Sequence, residues 1–246
     1  IWMRPGSKEN EIQHAQIKNG IIGILIDSIG ATDVPTLKLQ NTEIYNHSNF
    51  GILARETNIE AHNVVIGSAG QASLAATIGG TYNFTHSTFS NYWNSSIRAL
   101  PAVLINNFFV YDSDAGEKIT QTRDLKAANF TNCIFDGNNN IEFLIDKVDD
   151  GGLFRYSVQN CVIKFDDNNN SYEGVAEIDF ANNTNYSSII LNGNPDFRDT
   201  QKSDFIIGEK SDAINNAITS VFTTDLLGVN RTTNPDIGAY QHITFE

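Results

Sequence analysis

Leu37-Lys38-Leu39-Gln40-Asn41-Thr42-Glu43-Ile44 alternates apolar and polar residues, then breaks step at Asn41. Leu37 and Leu39 point one way and Lys38 and Gln40 the other, as in a half-buried strand. After Asn41, Thr42 and Ile44 face inward and Glu43 outward. The stretch therefore reads as two strands meeting at a bend, with the Asn at the bend facing in.

The same apolar–x–Asn/His–x–x–apolar pattern recurs along the chain. Its polar positions are His14, Asn41, Asn63, His86, Asn107, Asn132 and Asn160, at steps of 27, 22, 23, 21, 25 and 28 residues. A fixed period of twenty-odd residues marks a stacked repeat. The strands are short and rich in Ile, Val, Phe and Thr, and helical periodicity is hard to find. Leucine-rich repeats place Asn three residues after a leucine. Here the gap is two, and the apolar positions mix Ile, Phe and Val. The expected fold is all-β, a right-handed parallel β-helix of about seven coils with an irregular C-terminal cap.

Stacking such coils turns each position into a column. Ile17, Ile44, Ile66, Phe89, Val110, Phe135 and Ile163 form the expected apolar column, and the Asn/His residues a hydrogen-bonded ladder at the bend. Asn19, Asn46, Ser68, Asn91 and Asp112 mark the next corner. Cys133 and Cys161 follow Asn132 and Asn160 and should stack about 4.8 Å apart. They read as buried apolar fillers, with a disulfide as the alternative. The coils are assigned to residues 1–190, with excursions at 111–126, 136–156 and 164–188, and the cap to 191–246.

Sixteen basic and 29 acidic residues give a net charge of −13. That field disfavours nucleic acid and anionic membrane surfaces. No stretch approaches the length of a membrane span, and a monomer is expected. The chain opens on Ile1 in what reads as mid-segment and is taken as a fragment or processed form, so the lack of a targeting signal carries no weight.

The tail carries a more specific pattern: Asn194-Pro195-Asp196-Phe197, Asp204-Phe205, Ser211-Asp212-Ala213-Ile214-Asn215, Asp225, Gly228, Arg231 and Pro235-Asp236-Ile237-Gly238-Ala239-Tyr240. With the coils, it resembles the pectin-lyase-like parallel β-helix proteins, secreted or surface-anchored in bacteria, many with no assigned activity. It departs from that tail at Asp212, where the family has Pro. The resemblance implies a secreted, periplasmic or outer-surface location and a polysaccharide or cell-surface glycan as partner. Asp225, Arg231 and Asp236 read as structural, with Arg231 paired to a carboxylate.

Three chemistries are weighed for the site. A lyase acting on a uronic-acid-containing polysaccharide needs the uronate neutralised by Ca²⁺ or Arg and a base beside it. Asp112, Asp114, Asp166 and Asp167 are the candidate metal ligands, and Lys118 or Arg123 the candidate base. No family catalytic motif maps onto the chain. A paired-carboxylate hydrolase is disfavoured, because the outward row Gln16, Glu43, Val65, Thr88, Phe109, Ile134 and Val162 holds one acid. That apolar row implies a covering loop or an exposed binding face. Binding without turnover points to Tyr92, Trp93 and Arg98, two aromatics and a cation at one corner. His14 and His86 belong to the ladder, and His47, His62 and His242 have no partner in sequence. The expected function is glycan binding, with the lyase as alternative.

Overall fold

The computed structural model describes residues 1–27 and 34–245. Half of it is strand and 3% helical, and 14 strands join one large sheet. Every pairing in that sheet is parallel, and the chain winds through it as a three-faced β-helix. The first face stacks residues 10–13, 37–40, 59–62, 81–85, 128–131, 157–159 and 186–187. The second stacks 16–18, 42–47, 64–69, 88–91, 134–137, 161–163 and 189–191. The third stacks 2–3, 22–26, 50–54, 72–76, 103–106 and 143–146.

Between the first and second faces the chain turns through a single left-handed residue. His14, Asn41, Asn63, His86, Asn132, Asn160 and Ser188 all have φ between 45° and 57°. Asn tolerates this conformation better than most residues with a β-carbon, which is why it recurs here. Asn107 is a correction. It follows the third-face strand Val103–Asn106, where Ile105 pairs with Ala76 and Ile145, and its amide binds both the N–H and the carbonyl of Val148. The coil from His86 to Asn132 is a double-length turn that holds Asn107 in its middle. Ser188 is the seventh rung.

The corner side chains also face outward rather than in. His14 is exposed, and Asn132 is buried only because another segment lies over it. At the next corner Asn19, Asn46 and Ser68 are left-handed too. Asn91 sits at that corner and clasps the N–H and carbonyl of Ala69, whereas Asp112 lies in a hairpin outside the coils.

The core is one column-built cluster. Ile17, Ile44, Ile66, Phe89, Phe135, Ile163 and Leu191 are in register on the second face. Val110 leaves this column: it lies in the antiparallel hairpin Phe108–Asp112/Lys118–Thr122 and is exposed. Phe84 stacks on Phe130 with centroids 5.5 Å apart, and Phe89 on Phe135 at 5.3 Å, both pairs within 7° of parallel. Each such ring, fully buried, contributes about 1.5–3 kcal/mol from burial alone. Cys133 and Cys161 are buried neighbours in one column and are free thiols. Each Sγ points at backbone carbonyls, Cys133 at Thr131 and Cys161 at Gln159.

The three expected excursions take separate courses. Residues 111–126 hold most of the exposed hairpin and rejoin the first face at Leu125. Within 136–156, Phe143–Asp146 is a regular third-face strand. Residues 164–188 fold across the last coil as a plug: Phe165 meets Tyr172 and Phe180, and Phe180 meets Tyr186, at centroid distances of 5.0–5.6 Å. These rings pack on the main core, so the work of closing this end falls to them.

The C-terminal segment runs along the side of the solenoid and covers the outward row of the second face. Val65 packs with Phe205, Ile206, Ala239 and Tyr240, while Ile134 and Val162 pack with Ile207, Ala213 and Ile237. Phe109, expected in that row, projects from the hairpin instead. Further along, Asn160, Asn132 and Asn63 hold the segment through the carbonyls of Asn216, Ile218 and Thr224. Buried Arg231 donates to the carbonyls of Gly238 and Ala239, and among the described residues no carboxylate lies within 4 Å of it. The expected carboxylates, Asp225 and Asp236, act on its cation through their charge rather than through a direct ion pair. Asp225 and Asp236 instead accept backbone N–H groups, Asp236 also meeting His242 Nδ1 at 2.7 Å.

Candidate functional site

With the second face covered, the first face is left open, and its outward side chains are polar. Two rows run along it at strand spacing, about 4.8 Å. One is Glu11, Lys38, Glu60, Asn83, Asn129 and Ser157; the other is Gln13, Gln40, His62, Thr85, Thr131 and Gln159. All are half-buried or exposed. Asn129 donates to Asn83 at 2.8 Å and Gln40 to Glu11 at 3.2 Å, so neighbouring coils align their side chains.

Two walls make this face a groove. On one side Phe222 of the C-terminal segment stacks on His62, with centroids 3.7 Å apart and planes 13° apart. The cavity there, about 300 Å³, is lined by Lys38, Gln40, Glu60, His62, Asn83, Thr85 and Phe222, with Ala61 in its floor. Burial lowers the His62 pKa to about 4, so its ring is neutral at neutral pH. On the other side the foot of the hairpin and the Asp150 turn rise over the start of the first face. They enclose about 320 Å³ lined by charged side chains, among them Glu56, Arg123, Asp124, Lys126 and Asp150. Lys126 enters at a β-bulge between Leu125 and Ala127, a device that re-aims a side chain. Asp124 accepts the N–H of Leu153 and Asp150 that of Gly152. Hydrogen bonds from Thr122 and Gly152 hold the Asp150 carboxyl below its ordinary range.

The expected site residues scatter around this groove. Arg123 lines the charged cavity, with Nε 3.5 Å from Glu56. Lys118 does not: it stands exposed on the hairpin, 3.8 Å from Asp112. Asp112 and Asp114 belong to the hairpin, whereas Asp166 and Asp167 belong to the end plug. There Asp167 accepts the N–H groups of Ser171 and Tyr172. The four carboxylates are not brought together, and no group of three or more His, Cys, Asp or Glu residues among the described residues could hold a metal ion.

Arg98, expected at the binding corner, is not available to a ligand. It is buried and forks onto Glu142, whose other contacts are the N–H groups of Ala102 and Asn139. Its two terminal nitrogens also donate to Leu100, Asn91 and Asn138. Gly137 lies against this pair, and a β-carbon there would collide with the Glu142 carboxylate. Tyr92 is half-buried, with its hydroxyl donated to Asp136 at 2.7 Å and its ring between Phe197 and Phe205. Of the three, Trp93 alone offers an open ring surface.

The rows of the groove were legible in the sequence as the polar positions between the apolar ones. What was missing was the knowledge that the neighbouring face is covered. Comparison with protein-family models, curated proteins and solved structures returned no match. No helix among the described residues is long and apolar enough to cross a membrane.

Proposed function

We propose that the protein binds an extended glycan along the groove of the first face. The observation that carries this reading is the pair of polar rows, open to solvent and repeated coil after coil between two walls. An extended polysaccharide presents hydroxyls at a regular interval of the same order as one strand spacing. Amide and hydroxyl side chains such as Gln40, Asn83, Thr85 and Asn129 both donate and accept hydrogen bonds, which suits hydroxyls without demanding charge. The tail's resemblance to secreted and surface-displayed β-helix proteins supports an outer-surface setting, where such polymers occur.

A second reading, lyase action on a uronate polymer, rests on His62. It is a neutral imidazole in the groove, in register with Gln40 and Thr85 and one coil from Lys38, which could meet a uronate carboxylate. One experiment addresses both. Affinity electrophoresis through immobilised neutral and acidic polysaccharides should retard the protein on at least one. The triple change Gln40→Ala, Asn83→Ala, Thr85→Ala should abolish the retardation while leaving the thermal midpoint intact. Retardation equal in wild type and triple variant would sink the groove reading. Absorbance of a newly formed unsaturated uronate, lost in His62→Ala, would make the protein a lyase.

A further inference from the structure

The corner between the second and third faces is the vertex opposite the open first face, and it carries a separate crevice of about 190 Å³. Three distant parts of the chain build it: Tyr45 and Ser68 on the coils, Tyr92–Asn94 just past a corner, and the 3₁₀ turn Thr200–Lys202 with Ser203. Cross-links fix its shape in the absence of ligand. Ser68 Oγ lies 2.8 Å from Ser203 Oγ, and Asn94 Nδ2 donates to Gln201 Oε1 at 2.8 Å. The Trp93 indole N–H donates to Ser96 at 2.9 Å, and its ring rests over Gly70, where a β-carbon would sit 3.4 Å from Cε2. Its ring is thereby held in one orientation while half-exposed.

We propose that this crevice is a second binding site, taking a single neutral pyranose such as a terminal hexose. The proposal extends the glycan-binding reading but uses none of the groove's residues. Two features select the ligand. The walls are aromatic, Trp93 and Tyr45, and the apolar C–H face of a pyranose stacks on such rings. The rim is amide, hydroxyl and backbone, matched to ring hydroxyls. Among the residues lining the crevice Lys202 carries the charge, and it pairs with Asp199 at 2.9 Å. Lys18, outside the lining, lies 5.7 Å over the Tyr45 ring. A net ionic demand on the ligand is absent, which favours a neutral sugar over a uronate. A small concave pocket with rigid walls and few convergent polar groups is the ordinary form of a small-ligand site. Placed opposite the groove, it would grip a chain end while the groove holds a chain along its length.

The chain has two tryptophans, Trp2 and Trp93, so Trp2→Phe leaves Trp93 as the only indole reporter. Methyl hexosides, N-acetylhexosamine and glucuronate would be titrated against that variant, following emission, with saturation-transfer NMR of the sugar as an independent readout. The expected result is a saturable response to at least one neutral sugar with a Kd around 1 mM. Adding Tyr45→Ala should weaken it roughly tenfold, a loss of the size expected for one aromatic contact. No saturation by either readout, a response unchanged by Tyr45→Ala, or a stronger response to glucuronate would overturn the proposal. The groove triple variant should keep the Trp93 response while losing polysaccharide retardation. Failure of either site is thus seen apart from failure of the other.

Discussion

Asn132 and Ile218 form a reciprocal pair across 86 residues of chain: the Asn132 amide donates to the Ile218 carbonyl at 2.9 Å, and the Ile218 N–H donates back to Oδ1 at 3.0 Å. The residue that lets the coil turn is therefore also the residue that binds the C-terminal segment to its side. Asn132→Gly should keep the turn and lose the two bonds, whereas Asn132→Ala should lose both and add left-handed strain. Leaving these part-buried backbone groups unpaired costs about 1 kcal/mol, the low end for a lost hydrogen bond, and the strain about 1–2 kcal/mol more. Urea unfolding should rank wild type above Gly above Ala. Equal stability of Gly and Ala would mean that the turn exerts no conformational demand.

His86 occupies the neighbouring rung, and its Nε2 lies 3.0 Å from Asn132 Nδ2. Because Oδ1 is committed to Ile218, Nδ2 is the donor and the imidazole must accept. Burial, and secondarily the Arg231 charge, lower the His86 pKa to about 3. The folded state thus binds fewer protons than the unfolded state between about pH 3 and 6.5. Stability from this group is complete above pH 6.5 and falls as pH drops toward 3. His86→Asn, the residue used at four other rungs, should flatten that decline. Melting temperature measured from pH 7 to pH 4 in both proteins checks it, and parallel curves would refute the assignment.

The Arg98–Glu142 pair is fully buried, and removing one member leaves the other charge without a partner. Arg98→Met should cost about 3–5 kcal/mol. Arg98→Met with Glu142→Leu should recover part of that, but not all. The N–H groups of Ala102 and Asn139 would still lose their acceptor. A chemical-denaturation double-mutant cycle gives the coupling; additive effects would show that the two side chains do not depend on each other.

The two thiols should behave as core atoms. Burial, then the neighbouring Cys161, push the Cys133 thiol well above its ordinary pKa, and a thiol is a poor nucleophile. Ellman's reagent should label neither cysteine in the native protein and both in denaturant. Cys133→Val, matching Val64 in the same inward column, should change stability by less than about 1.5 kcal/mol. Rapid native labelling would show that the column is open to solvent.

Local chemistry determined the coils. Leu37-Lys38-Leu39-Gln40-Asn41 encodes strand, face and turn in five residues, because side-chain alternation has period two and Asn tolerates the left-handed corner. The solenoid class, the buried cysteines and the unusual apolar row at Val65, Ile134 and Val162 all follow from such short-range rules. Register did not. Ile105-Asn106-Asn107 carries the same local signature as a true rung, and only strand pairing places it on the third face. Arg98 likewise looked available until Glu142, 44 residues away, was folded against it. The open groove has no local signature at all. The first face is a groove because residues 197–245 cover the second face and set Phe222 beside His62. Tertiary contact settles which surface is buried, and burial, together with the partners it brings, decides whether a side chain is free to meet a ligand.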